Sequence, residues 1–190
     1  MKKKIFAAAA MLLACVTVLC ACGGGGTSTT GGTDEPKEIT GETIDTGVFS
    51  ALCPDGWWNC PQQDIWAEEE GALDPETLQF FKGGSPDDYF SKPFVTINHA
   101  SPDNYFFSTK GFYDEVTDLE GVTFQGKEVE EAFTAVYNGI GTKYTYTIFD
   151  YVGEDAQWHV TILTELDGKA TGLGFEDPET MAILNSITLD

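Results

Sequence analysis

The chain has 190 residues, with 10 Lys, no Arg and 31 Asp plus Glu, for a formal net charge of −21. Gripping a phosphate backbone needs clustered Lys and Arg, so no nucleic-acid partner is expected, and side-chain binding to an anionic membrane surface is disfavoured for the same reason. With 42% apolar and 13% aromatic residues, the sequence is too rich for a disordered acidic chain and predicts a folded, soluble domain.

The first 22 residues read MKKKIFAAAAMLLACVTVLCAC. Lys2, Lys3 and Lys4 form a basic start, and residues 5–19 form an apolar run of signal-peptide length, shorter than a typical membrane-spanning helix. Leu19-Cys20-Ala21-Cys22, followed by Gly23, resembles the lipobox of bacterial lipoproteins: an aliphatic residue at −3, a small one at −1, then the Cys that receives the lipid. The resemblance implies a leader over residues 1–21 and a lipid on Cys22, which becomes the new N-terminus. Leu12-Leu13-Ala14-Cys15 is a second candidate, but the glycines directly after Cys22 favour the later site. Cleavage would leave 7 Lys against 31 acids, a charge of −24, with no second long apolar run, so the protein is expected to be tethered by lipid rather than to span the membrane. Residues 22–43 are mostly Gly, Thr, Ser and charged groups that bury no face, and read as a flexible tether with a span of roughly 25 Å.

Residues 44–190 have the size and composition of one domain. Runs 48–53 and 57–60 read as a hairpin around Pro54-Asp55-Gly56. With Cys15 and Cys20 in the leader and Cys22 lipidated, Cys53 and Cys60 remain, and an even remainder in an exported protein reads as one disulfide. It would close a short loop and stabilise the fold by roughly 2.5 kcal/mol. A two-residue turn at Asp55-Gly56 pairs Cys53 with Trp58, so the bond requires a wider or bulged turn. Free thiols are the alternative. A zinc site would need four ligands, and His99 and His159 lie far away without paired spacing, so no metal is expected.

Asp74-Pro75-Glu76-Thr77 predicts a short helix with Leu78, Phe80 and Phe81 as its buried stripe, and the same tetrapeptide at Asp177-Pro178-Glu179-Thr180 opens a last helix over 178–186, with Met181, Leu184 and Ile187 along one side. Between them, 93–98 is a strand and Ser101-Pro102-Asp103 starts another helix running towards Leu119. Then come strands at 122–124, 129–137, 143–151 and 158–166, with turns at Gly126-Lys127, 138–141 and 153–156. In the last of these strands Trp158, Val160, Ile162 and Leu166 face one way and His159, Thr161 and Glu165 the other. The expected fold is α+β: an α/β/α sandwich on a single mainly antiparallel sheet.

Phe49-Ser50-Ala51-Leu52-Cys53-Pro54-Asp55-Gly56-Trp57 resembles the opening of PsbP-like domains, Val122-Thr123-Phe124-Gln125-Gly126 resembles their strand before the meander, and Ile183-Leu184-Asn185-Ser186-Ile187 resembles their close. Many bacterial members of that family are lipoproteins. The resemblance implies a fold and an accessory, protein-binding role; it supplies no catalytic residues and no cofactor.

No catalytic site is expected. Gly83-Gly84-Ser85-Pro86-Asp87 breaks the hydrolase nucleophile pattern, and His99 and His159 read as ordinary rim or surface residues. Gly139-Ile140-Gly141 and Gly172-Leu173-Gly174 are turns rather than phosphate cradles. Asp64, Glu68, Glu69, Glu70 and Asp74, with Asp87, Asp88 and Asp103, lack calcium-loop spacing and read as solvated faces. The aromatics carry the best hint of binding. Trp57, Trp58 and Trp66 cluster in sequence, and neighbouring strand positions put Trp57 and Trp58 on opposite faces, leaving one free to meet a ligand. Most of the other aromatics, including Tyr89, Phe90, Tyr105, Phe106 and Phe107, read as core. The sequence thus points to a lipid-anchored protein on the extracytoplasmic face of the cell membrane. Its domain is expected to be non-catalytic and to meet an envelope protein or, alternatively, a glycan or small ligand through exposed aromatics; a hydrolase is the third reading.

Overall fold

The computed structural model describes residues 38–83, 91–104 and 108–190. The expected leader, Cys22, Asp87, Asp88 and the aromatics 89–90 and 105–107 lie outside these. Residues 41–43, read from sequence as the end of the tether, instead open strand β1 (Gly41–Asp45), which pairs antiparallel with β2 (Phe49–Pro54). A Cβ on Gly41 would sit 2.2 Å from the Cys53 carbonyl oxygen, so only glycine allows this approach. Asp45 shapes the turn: its Oδ1 accepts from Gly47 N at 2.7 Å.

β2 and β3 (Trp57–Asn59) are strands, as predicted, but they do not form a hairpin. β2 lies between β1 and β13 (Thr188–Leu189) in a three-stranded sheet, while β3 pairs with β4 (Thr77–Lys82) in a separate, larger sheet. Asp55-Gly56 is therefore a corner between sheets. This overturns the expected disulfide: Cys53 and Cys60 are not bonded. Cys53 faces Glu42 on β1, whereas Cys60 N donates to Gln79 O on β4 at 2.8 Å, so the two backbones diverge into different sheets. Burial, with Glu42 adding, pushes the Cys53 thiol up to about 11, which keeps it protonated and unreactive at neutral pH.

The large sheet takes β3, β4, β5 (Phe94–Ala100), β11 (Gln157–Leu166), β10 (Lys143–Val152), β9 (Glu131–Asn138) and β6 (Glu115–Asp118) in that order, every pair antiparallel; β12 (Lys169–Ala170) adds to β11. A two-stranded ribbon, β7 (Thr123–Phe124) and β8 (Lys127–Glu128), turns at Gln125-Gly126, where both residues have positive φ, rather than at Gly126-Lys127.

Two predicted helices are replaced by extended chain. Residues 77–82 form β4, in which Leu78 and Phe80 point into the core, while Thr77, Gln79 and Phe81 face the other way in register with Asn98, Thr96 and Phe94. Asp74 still acts as a cap, accepting from Glu76 N at 2.9 Å and Thr77 Oγ1 at 2.7 Å, but it starts a strand. Among the described residues after Ser101, the expected second helix is one 3-10 turn, Lys110–Phe112, followed by strand β6. The α-helix among the described residues is α1 (Pro178–Asn185), where Asp177 Oδ2 accepts from Thr180 N at 2.9 Å and Pro178 takes the first turn. Its buried residues are Thr180, Ile183 and Leu184, while Met181 is exposed.

The architecture is thus a mixed α+β fold with one main antiparallel sheet and a single helix among the described residues, not a sandwich with helices on both faces. The small sheet and α1 cover the inner face of the large sheet: Phe49 and Ala51 of β2 meet Phe80, Val95, Ile97, Phe149, Trp158, Val160 and Ile162, with Ile183, Leu184 and Ile187 from the helix side. Trp158, Val160 and Ile162 face inward as predicted, but a bulge after Thr145 shifts the register and puts Leu166 opposite Tyr144, on the outer face.

Candidate functional site

The three tryptophans singled out in sequence lie on three separate surfaces. Trp57 is half-buried on the inner side, with the Lys82 ammonium 5.9 Å from its ring centroid and its Nε1 buried without an acceptor. Lys82 itself pairs with Glu179 at the start of α1, at 2.5 Å. Trp58 lies on the outer face against Phe81, ring centroids 5.7 Å apart. Trp66, 89% exposed, tops a loop closed by the Gln63–Leu73 bridge, where Asp64 Oδ1 accepts from Trp66 N at 2.8 Å.

Cross-strand register builds a larger aromatic surface that the sequence reading did not assemble. On the outer face Phe81 meets Phe94 at 5.4 Å, Phe94 meets Tyr146 at 6.1 Å, Tyr146 lies parallel to Tyr144 (6.1 Å, 3° between planes), and Tyr144 meets Tyr137 at 6.2 Å. With Trp58 the strip runs from β3 to β9. Its far end is open: Tyr137 is 46% exposed, Tyr144 and Tyr146 are half-buried, and Tyr113 flanks Tyr146 at 6.0 Å. The position follows from period two along each strand: Tyr144 and Tyr146 are two apart on β10, and Tyr137 pairs with Tyr144 across the β9–β10 hairpin. Gly139 makes room at the turn, since a Cβ there would meet the Tyr144 ring at 3.2 Å. The signal available in sequence was Tyr-x-Tyr at 144–146, facing Tyr137 over a glycine-rich turn.

Burial, reinforced by Tyr113, Tyr144 and Tyr137, pushes the Tyr146 phenol from the ordinary 10 up to about 12, and burial also raises Tyr113. Both stay neutral hydroxyls able to donate and accept. Because the unfolded chain gives up these protons first, the folding contribution of Tyr146 is intact below pH 10 and is lost as pH rises from 10 to about 12. Tyr146→Phe is expected to flatten the alkaline loss of stability between those pH values, read as melting temperature against pH.

The two histidines are not the rim residues expected from sequence. His99 is buried, 9% exposed, with Nδ1 bonded to Glu76 Oε2, its ring 5.0 Å from Trp158, and Nε2 without a partner. His159 Nδ1 lies 2.6 Å from Asp150 Oδ1, its directly opposed cross-strand neighbour, and Thr161 Oγ1 is 3.4 Å from Nε2. Asp, His and Thr in a row resemble the groups of acyl transfer, but Thr161 and His159 are simply alternate residues of one strand, and none of the three lines the groove described below.

Among the described residues no group of three or more His, Cys, Asp or Glu could hold a metal ion. The acids of the 64–74 loop are used locally: Asp64 and Asp74 accept backbone hydrogen bonds, and Glu68, Glu69 and Glu70 are exposed. A groove of about 910 Å³ runs between the chain around the β7–β8 ribbon and α1, away from the tyrosines.

No protein-family model matches the chain, and no curated protein is similar to it. A solved structure from Bacteroides thetaiotaomicron is similar over 79% of this chain and 48% of its own, with 11% identity and a TM-score of 0.39; the chain spans about half the length of that protein.

Proposed function

We propose that the protein is a lipid-anchored, non-catalytic binding protein that holds an extended glycan on its outer sheet face. The observation that carries this is the row of tyrosines 137, 144, 146 and 113 at the open end of the aromatic strip. A sugar chain offers flat C–H faces and hydroxyls, and partly exposed tyrosines offer both a ring to stack on and a hydroxyl to bond. The tyrosines sit on a sheet face rather than in a cleft, which suits a chain-like ligand better than a small enclosed one. Lipid attachment at Cys22 and the extracytoplasmic location belong to the same proposal and rest on the leader sequence; the PsbP-like assignment belongs to it too and rests on the short motifs around Phe49-Ser50 and Ser186-Ile187.

The test is affinity electrophoresis of the purified protein through gels containing soluble envelope and plant glycans. One glycan is expected to retard the protein, and Tyr137→Ala and Tyr144→Ala are each expected to weaken that retention about tenfold, the loss typical of truncating a central aromatic anchor. Retention unchanged by both substitutions, with melting temperatures intact, would move the site elsewhere.

Exposed apolar side chains on the 64–74 loop favour a second reading, a protein-binding module. Ile65, next to Trp66 in the chain, is 80% exposed, and Leu73 at the closing bridge is 61% exposed. Loss of a protein partner in Trp66→Ala, with glycan retention untouched, would select it.

A further inference from the structure

The four tyrosines at the open end of the strip form a chain of ring contacts with two ends. Tyr113, Tyr146, Tyr144 and Tyr137 follow one another at 6.0, 6.1 and 6.2 Å between centroids. Three of them are placed by the β9–β10 hairpin, but Tyr113 is not. It stands between a 3-10 turn, Lys110–Phe112, that buries no residue and β6, an edge strand whose four residues are all exposed.

A single carboxylate joins the two ends. Asp114 donates its backbone N–H to the Val136 carbonyl at 2.9 Å, and its Oδ2 accepts from both the backbone N and the Nδ2 of Asn138, each at 2.9 Å. Asp114 follows Tyr113 and Asn138 follows Tyr137, so the clamp runs between the immediate neighbours of the first and last rings. Bonds to an ionised acceptor are about twice as strong as neutral ones. Lys110 pins the same segment further back, between Asp118 at 2.6 Å and Glu131 at 2.8 Å, three residues before Tyr113. Held this way, Tyr113 lies 6.3 Å from Phe133 and packs against Phe133, Ala135 and Ile148, each 0% exposed. Asp114 and Asn138 are themselves exposed, so the clamp adds nothing to the core and acts only on what its neighbours carry.

We propose that Asp114 is a positioning residue of the tyrosine face: through Asn138 it holds Tyr113 against Tyr146 and fixes the width of the surface offered to a ligand. The consequence for binding rests on the glycan reading; the clamp itself does not. A surface set before the ligand arrives spares the cost of ordering Tyr113 on binding.

The test compares the full-length protein with Asn138→Asp, which removes one donor and sets a second carboxylate beside Asp114, and with the exchange Asp114→Asn plus Asn138→Asp, which keeps both bonds with one donor and acceptor reversed. The first readout is the ionisation of Tyr113, followed by tyrosinate absorbance and isolated by subtracting the same curve for Tyr113→Phe in each background. Burial holds this phenol above its ordinary value, with Asp150 adding. Asn138→Asp is expected to bring it down towards about 10, and the exchange is expected to restore it. An extra carboxylate alone would push a phenol up, so a downward shift reports lost burial. The second readout is affinity electrophoresis in mixed-linkage β-glucan, an uncharged extended chain. Retention should weaken about fivefold in Asn138→Asp, the scale of one hydrogen bond, and recover in the exchange. An unmoved Tyr113 titration, native retention in Asn138→Asp, or failure of the exchange to restore either readout would overturn the clamp. A native protein that the glucan does not retard would count against the glycan reading, and the titration would then decide the clamp by itself.

Discussion

Phe49→Ala is expected to lower the free energy of unfolding by about 3–5 kcal/mol, the range for deleting a fully buried aromatic ring. Phe49 is 0% exposed and stands where the two sheets and His99 meet: its ring lies 5.0 Å from Trp158 in an edge-to-face contact and 6.0 Å from His99. Its backbone is held on both sides, by Leu189 of β13 and through the Thr46 hydroxyl, so the neighbours cannot close over the missing ring without moving two strands. The loss should therefore lie at the upper end of the range. Phe49→Leu, which keeps most of the volume, should cost less than half as much. Urea denaturation followed by tryptophan fluorescence measures both, since Trp158 reports on the same contact. Equal and small losses for the two variants would mean that the sheet interface tolerates a cavity and that β2 is held mainly by its hydrogen bonds.

Cys22→Ala is expected to transfer the protein entirely from the membrane pellet to the soluble fraction. Acyl chains on Cys22, as proposed, would supply the attachment at about 0.8 kcal/mol per buried methylene, and an acidic domain adds repulsion rather than binding at an anionic surface. Among the described residues no helix is long and apolar enough to cross a membrane. Cell fractionation with blotting decides it, and Cys15→Ala is the control that should leave the distribution unchanged. A Cys22→Ala protein that stays in the pellet, still carrying its leader by intact mass, would show that the apolar run at 5–19 is itself the anchor and would remove the lipid from the proposal.

The contrast between the two Asp-Pro-Glu-Thr segments shows how far local chemistry reaches. Both aspartates make capping hydrogen bonds, as their sequence requires, yet one opens strand β4 and the other helix α1. What differs is the chain that follows. Residues 77–82 can pair with β3 on one side and β5 on the other, burying Leu78 and Phe80 on one face and matching Phe81 to Trp58 and Phe94 on the other. That two-sided pairing overrides a helical stripe of three residues.

Local information was enough where neighbours in sequence are also neighbours in space. The β9–β10–β11 meander follows from alternation and glycine turns, and α1 from its cap and its proline, although of the expected stripe Met181, Leu184 and Ile187 only the last two are buried and Ile183 takes the place of Met181. The acidic balance, and the expectation of a leader, likewise belong to the sequence alone, because they depend on composition and order rather than on packing. The tertiary structure decided everything that needs distant segments. It split the apparent hairpin at Asp55-Gly56 between two sheets, which separated Cys53 from Cys60 and dispersed the three tryptophans. It turned His99 inward against Trp158 and set His159 opposite Asp150. It drew Tyr113 to the tyrosines of β9 and β10, and it closed the groove by bringing Gln125 to the end of α1, about sixty residues on. Alternation states which residues share a face, but strand order and register determine which faces meet, and those are set by the burial of the whole core at once.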